Sequence, residues 1–344
     1  MTKTKVRAEA ESFRSRFNFT SRWPSSLGGG LQSRKGWRDS SKGFQFAPNR
    51  FPLSNRILLP TILLQTSIHT MTTTQHEKAL RFQELHRKPG AFLIPNPWDA
   101  GSTRLLAGLG FEAFATSSAA AAGVLGRRDG RMTRDESLAN ARLIVDATDL
   151  PVAADLEHGF GDGPDSAAET IWLAAGIGLV GGSIEDARAD REKPIYDIAL
   201  ATERISAAVQ AARSLPFPFT LAARAENFVR GNPDLDDTLK RLVAYEKAGA
   251  DVLFAPGLPD LASVRAVCSA VSKPVNFAVG GRGRSFSVAE LVAAGVKRIS
   301  LAAAFYRAAM TGLIDAAKEV REKGTFTFVD RVMITPELNG FFPD

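Results

Sequence analysis

This 344-residue chain has little thiol, imidazole or phenol: one cysteine (Cys268), four histidines and three tyrosines. A single thiol excludes a disulfide framework and any zinc cluster built on paired cysteines. Cys268 stands at core spacing in the helical run 262–271, which predicts a buried, unreactive side chain. With cysteine and histidine this scarce, a metal centre would rest on oxygen donors. The apolar stretch 57–68 is broken by Pro60 and too short to span a bilayer, so no membrane insertion is expected. No G-x-G-x-x-G motif follows the first strand-like run, which weakens the case for an open doubly wound sheet. No lysine stands at a strand end, which argues against a Schiff-base enzyme.

Acidic residues are scarce in one region only. Residues 1–70 hold twelve Lys or Arg and three acids (Glu9, Glu11 and Asp39), a surplus of nine positive charges. The whole chain stands at +6, so residues 71–344 carry about −3 and the basic field belongs to the leader. No nucleic-acid partner is expected. Rich in Ser, Arg and Gly, the leader has the composition of a mitochondrial transit segment. The alternative is an upstream extension, since Met71-Thr-Thr-Thr74 would make a natural start. The first reading implies a mitochondrial protein and the second a cytoplasmic one. Either way residues 1–75 are expected to be a disordered leader and residues 76–344 the folded domain.

Hydrophobic residues make up 44% of the chain, enough for a large core. From Phe92 onward, strand-like runs at 92–94, 111–117, 152–157, 179–185, 219–224, 252–255, 275–279 and 299–301 alternate with helical ones. Among the latter are 136–147, 198–213, 237–248 and 288–294. Helices are expected to stop at Ala107-Gly108, Ala175-Gly176, Ala248-Gly249 and Ala294-Gly295, with glycine as left-handed cap. Eight strands, each followed by a helix, predict an α/β fold of the (β/α)8 TIM-barrel type. The small residues of Ser300-Leu-Ala-Ala-Ala304 suit a closed barrel interior. A final helix is expected over 305–323. The tail 326–342, with four Phe, is too apolar for water and is expected to cover a neighbouring subunit.

The segment Asp155-Leu-Glu-His-Gly-Phe-Gly161 follows the apolar run Pro151-Val-Ala-Ala154. Strand alternation puts Asp155 and Glu157 on one face. Two carboxylates this close repel unless a cation sits between them. In a barrel, catalytic groups gather where strands end. Other strand ends supply Thr116, Ser117 and Ser118, then Glu185 and Asp186, Arg224 and Glu226, and Asn276, with Asp129 in the loop after the second strand. Oxygen-only donors favour Mg²⁺ or Mn²⁺. Any one acid is as well explained as a loop cap or surface charge; recurrence at three successive strand ends favours a site. Arg224, in a run of alanines, suits bidentate capture of a carboxylate or phosphate, or an ion pair with Glu226 or Glu185. His158 is expected to point away from the pair and pack in its loop. Arg282 and Arg284, in Val279-Gly-Gly-Arg-Gly-Arg284, suit a phosphate cradle, although a tight turn explains the glycines equally well.

Seven segments in order resemble one known family: Asn96-Pro-Trp-Asp-Ala100, Thr116-Ser-Ser118, Gly126-Arg-Arg-Asp-Gly130, Asp155-Leu-Glu-His-Gly-Phe-Gly161, Gly182-Ser-Ile-Glu-Asp186, Ala222-Ala-Arg-Ala-Glu-Asn227 and Lys273-Pro-Val-Asn276. The resemblance, over roughly residues 90–342, is to the isocitrate lyase/phosphoenolpyruvate mutase superfamily. It implies a Mg²⁺-dependent barrel enzyme acting on small 2-oxo or 2-hydroxy carboxylates. It also implies a homodimer or homotetramer whose last helix swaps between subunits. By position, Asp155 resembles the direct metal ligand, while Asp129, Glu157 and Glu185 resemble the acids that hold the metal through water. Arg224 resembles the substrate-carboxylate binder, and Ser118 with the following N–H, that of Ala119, the carboxylate clamp. Trp98, Asp99 and Asn276 fall in matching segments and are expected near the substrate.

The departures narrow the activity. Isocitrate and methylisocitrate lyases carry a Lys-x-Cys-Gly-His loop after strand four, and phosphonomutases a Lys…Asn pattern there. Here residues 187–196 contain neither Cys nor His, and Lys193 is followed by Pro194. The chain looks closer to the oxaloacetate decarboxylase-like branch and other C–C lyases. A thiol-free cleavage through an enolate is expected, with Arg224 and Glu185 in the machinery and Tyr196 or water as proton donor. A phosphonate-type enzyme and a non-catalytic metabolite-binding barrel are the alternatives.

Overall fold

The computed structural model describes residues 73–188, 192–281, 283 and 285–342, so the leader and both Arg282 and Arg284 lie outside the described residues. The fold begins at a capping box: Thr74 accepts from the Glu77 N–H and Glu77 reaches back, starting α1 (Gln75–Arg87). Gln75 then donates to the carbonyls of Ala175 and Leu179. The folded unit therefore reaches back past residue 76, where the sequence set its edge.

Eight strands follow: β1 (Phe92–Ile94), β2 (Phe114–Ala115), β3 (Val152–Asp155), β4 (Gly181–Glu185), β5 (Thr220–Arg224), β6 (Val252–Phe254), β7 (Val275–Ala278) and β8 (Arg298–Ser300). They form one parallel sheet in the order β1-β8-β7-β6-β5-β4-β3-β2. The remaining seam is drawn together by the Ala115 N–H, which donates to the Pro95 carbonyl at 3.1 Å. This is the expected (β/α)8 barrel. β4 is buried along its whole length, as a strand covered on both faces must be. Its Gly181 leaves no room for a Cβ, which would stand 2.8 Å from the Thr220 carbonyl oxygen and 2.9 Å from the Phe82 ring.

The helices that wrap the sheet are α2 (Ala100–Gly108), α3 (Ser118–Val124), α4 (Arg134–Asp146), α5 (Pro164–Gly176), α6 (Ile198–Arg213), α7 (Leu235–Lys247), α8 (Leu261–Ala270) and α9 (Val288–Ala293). The long α10 (Ala304–Lys323) and the short α11 (Thr335–Asn339) close the chain. Two of the four expected glycine caps shift. Gly108 and Gly176 stay helical, and the left-handed turns fall two residues on, at Gly110 and Gly178. Gly249 and Gly295 adopt positive φ as expected. Among the described residues no helix is long and apolar enough to cross a membrane.

Among the described residues three non-glycine positions hold positive φ: Glu157 (47°), Phe160 (57°) and Ala302 (47°). All three lie just after β3 or β8, at the C-terminal mouth. Such conformations persist only where surrounding structure enforces them. The mouth is where this barrel holds backbone strain.

Candidate active site

Arg224, the last residue of β5, organises the mouth. Its Nη1 donates to Asp155 Oδ1 at 2.7 Å, its Nη2 lies 2.8 Å from Glu185 Oε2, and its Nε donates to Glu226 Oε1 at 2.9 Å. Strand register sets this up: Asp155 pairs with Ser183 across β3–β4, and Glu185 with Arg224 across β4–β5. Arg230 adds a second guanidinium, 2.9 Å from Glu185 Oε1. Burial pushes the Glu185 carboxyl above its ordinary range, and the charges of Glu226 and Asp155 add to this against the pull of Arg224 and Arg230. The ion pairs with Glu226 and Glu185 that the sequence offered for Arg224 are both formed, together with one to Asp155.

Glu157 lies two residues beyond the end of β3, which stops at Asp155 rather than running on through 157. A turn still brings the two acids together, with the Glu157 N–H donating to Asp155 Oδ1 at 3.2 Å. The Glu157 carboxylate accepts no hydrogen bond and forms no ion pair among the described residues. Burial, followed by the charges of Asp155 and Asp129, pushes it up to about 7. Asp129, Glu157, Glu185 and Glu226 line one pocket of about 300 Å³ with Ser118, Arg224 and Arg230. No three acid, His or Cys side chains among the described residues are arranged as a ready metal cage. The donor chemistry nevertheless fits a hard divalent cation: the carboxylates of Asp129, Asp155, Glu157, Glu185 and Glu226 outnumber the guanidiniums of Arg224 and Arg230, and Glu157 has no partner among the described residues.

Ser118 opens α3, and its N–H donates to Asp155 Oδ2 at 3.2 Å. Ala119 follows it in the first turn, where N–H groups have no intrahelical acceptor. Both face a wider cleft shared with Asp129, Asp155 and Arg224. Asn276 is buried deeper, its amide donating to Ser300 Oγ at 3.1 Å.

Four expectations are corrected. Tyr196 is not a mouth residue: it is buried, its hydroxyl donates to Asp162 Oδ1 at 2.6 Å, and its ring lies under Arg204. Burial pushes that phenol up to about 12. Asp99 is a helix cap, accepting from the Ser102 N–H at the start of α2. Trp98 packs edge-on against Tyr306 of α10, and neither residue lines the two clefts that hold Ser118 and Asp129. Cys268 is only partly buried and lies on α8; burial still pushes its thiol up to about 11. Asp186, one residue past Glu185, turns outward to Arg241 (3.0 Å), Tyr245 (2.6 Å) and the Glu226 N–H (2.8 Å).

The loop after β3 is held from behind. Arg204 of α6 donates to the carbonyls of Gly161 and Gly163 at 2.7 and 3.0 Å, and to those of His158 and Asp162. His158 thus serves the loop through its backbone, and its ring lies beside Phe160. Two contributors went unread in the sequence. Asn96 bridges the Thr116 carbonyl and the Leu301 N–H. Arg298 enters the barrel interior beneath Arg224.

Known proteins share this architecture. Residues 82–321 match the phosphoenolpyruvate phosphomutase family model. Oxaloacetate decarboxylase 2 of Pseudomonas putida is 28% identical over 252 residues, which cover 72% of this chain and 82% of that protein. The 2-methylisocitrate lyase of Escherichia coli is 29% identical over 261 residues, 73% of this chain and 86% of its own. Among solved structures, a candidate lyase/mutase from Burkholderia cenocepacia superposes with TM-score 0.77 at 53% identity, over 78% of this chain and 97% of that one. A 2,3-dimethylmalate lyase gives 0.69 at 27% identity, over 77% and 94%. This chain belongs to the phosphoenolpyruvate mutase/isocitrate lyase superfamily.

Proposed function

We propose that the chain is a Mg²⁺-dependent lyase that cleaves or decarboxylates a C–C bond of a small 2-oxo or 2-hydroxy carboxylate through an enolate; Mn²⁺ fits the same donors. The observation that carries this reading is the convergence of Asp155, Glu185 and Glu226 on Arg224, beside the unpartnered Glu157. Glu157, Glu185 and Asp129, which line one pocket, would hold the cation together with Asp155, which lines the adjoining cleft. Bound there, the ion supplies Lewis-acid polarisation of the substrate's oxygen.

The chain's own groups do the rest. Ala119 offers a first-turn N–H group to the substrate carboxylate, Ser118 holds Asp155 beside it through its own N–H, and Arg224 supplies positive charge to the same cleft. When the C–C bond of a 2-oxo acid breaks, its electron pair stays on the fragment bearing the 2-oxo group. In a 2-hydroxy acid the hydroxyl loses its proton to solvent, its carbon becomes the new carbonyl, and the pair passes to the other fragment, whose carboxylate takes it up as an enolate. In both cases the fixed charge of Arg224 stabilises the enolate. Solvent returns the proton, since the Tyr196 hydroxyl is committed to Asp162. No thiol takes part: the loop 187–196 has none, and Cys268 lies on α8.

The full chain assayed by ¹H and ¹³C NMR with Mg²⁺ and a panel of 2-oxo and 2-hydroxy acids tests this. Metal-dependent fragmentation of at least one acid is expected. No turnover of any would refute the reading. Phosphoryl transfer seen by ³¹P NMR with phosphonates would favour the mutase chemistry of the family model's description.

A homo-oligomer is proposed from a separate observation. α10 buries no residue within its own chain, and Leu313 and Ile314 are 62% and 52% exposed. Phe326, Val329, Val332 and Met333, further along the chain, are exposed as well. Such a surface is covered by a second copy. Phe341, by contrast, returns to Gly108 of its own chain.

A further inference from the structure

Beneath Arg224 the barrel encloses a cavity of about 130 Å³. Its upper wall is Asp155, Thr116, Ser117 and Arg224; its floor includes Asn276, Ser300 and Arg298. Arg298 is the first residue of β8 and is 7% exposed. Its Nε donates to Asn276 Oδ1 at 2.8 Å. Asn276 is fixed in turn by Ser300. Among the described residues Arg298 forms no ion pair with a carboxylate, and its two terminal nitrogens make no hydrogen bond.

A charge in this position is costly. Buried guanidiniums are ordinarily paired, because an unpaired ion in a barrel core loses its hydration without compensation. Burial first, and then the like charge of Arg224, pull Arg298 down to about 10, which leaves it protonated at neutral pH. The nearest titratable group below offers no relief: burial pulls His86 down to about 3, so its ring is neutral. Asp155, the acid on the cavity wall, is already bonded to Arg224.

We infer that Arg298, steadied by Asn276 and Ser300, receives a second carboxylate of the substrate, so that this site selects dicarboxylic over monocarboxylic acids. A cavity of about 130 Å³ matches roughly four waters at a liquid volume of about 30 Å³ each, enough for a carboxylate group and a short carbon chain. The planar fork matches a carboxylate, and one guanidinium with neutral neighbours balances a single negative charge. The inference rests on the reading that the mouth holds a small carboxylate, and it names which acids that reading admits.

The test is equilibrium binding rather than turnover, so it reads out even if no acid is cleaved. The full chain with Mg²⁺ is titrated calorimetrically with malonate, succinate and glutarate, and with acetate, propionate and butyrate. At least one diacid is expected to bind ten-fold or more tightly than its monoacid counterpart. Arg298→Met should remove that preference and leave monoacid affinity unchanged. Asn276→Asp, which gives Arg298 an internal counter-ion, should also remove it and provides a second reading if the first variant fails to fold. Equal binding of diacids and monoacids by the wild type, or a preference that survives both substitutions, overturns the inference. So does an Arg298-dependent preference for phosphonoacetate over malonate, which would make the recognised group phosphoryl.

Discussion

Arg224 and Asp155 are bonded to each other across 2.7 Å, so the guanidinium that gathers the carboxylates of the mouth and the acid proposed as a metal ligand share one contact. The pair also ties β5 to β3 over a separation of 69 residues. Removing the guanidinium would leave Asp155, Glu185 and Glu226 without their common partner. Arg224→Met is expected to lower unfolding stability by about 3–5 kcal/mol in metal-free buffer, the usual cost of stranding buried charge. Urea denaturation checks this, and a loss below about 1 kcal/mol would mean that the three carboxylates do not depend on it.

Glu157 gives the site a pH dependence whose sign follows from its upward shift to about 7 from an ordinary 4.5. The folded state holds this proton more tightly than the unfolded chain. The stability that results is complete below pH 4.5 and is lost as pH rises through 7. Glu157→Gln stays neutral, so in EDTA it should melt with the wild type at pH 5 and above it at pH 8. Mg²⁺ should erase the advantage at pH 8, because the wild-type carboxylate then has a partner. An advantage independent of pH would contradict the account.

Asp186 sits beside Glu185 in sequence but works for the scaffold. Arg241, Tyr245 and the Glu226 N–H all donate to it in a buried position. Asp186→Asn should cost about 2–4 kcal/mol of stability, while kcat of the folded enzyme stays within a few-fold of wild type. Loss of kcat at unchanged stability would move Asp186 into the chemistry.

Leu313 and Ile314 project from α10 into solvent. Replacing both with Glu should convert an oligomer to a monomer in light scattering coupled to size exclusion, with little change in the melting of the barrel. An unaltered mass would show that this face is not the interface.

The barrel was legible because each strand is a short apolar run closed by a turn, and eight such runs in series admit few topologies. The acids and Arg224 were legible for a related reason: strand ends of a barrel share one mouth. Arg298 was not. The eighth strand was read from Ile299, which left Arg298 outside it, although counting back by two from Ser300 puts Arg298 on the same, inward face. Asp99 carried its own answer in Asp99-Ala-Gly-Ser102, a capping pattern whose Ser102 reciprocates. Tyr196 was misread because its direction depends on Asp162 and Arg204, which meet it only through the packing of α5 and α6.

The central claim is that the carboxylates at this mouth take a divalent cation. Titrating the full chain with Mn²⁺ and following the free ion by electron paramagnetic resonance tests it most directly, because the readout requires no substrate. One tight site is expected, displaced by Mg²⁺ and lost in Asp155→Asn. Absence of a tight site, or an Asp155→Asn protein that binds Mn²⁺ as the wild type does, would contradict the account.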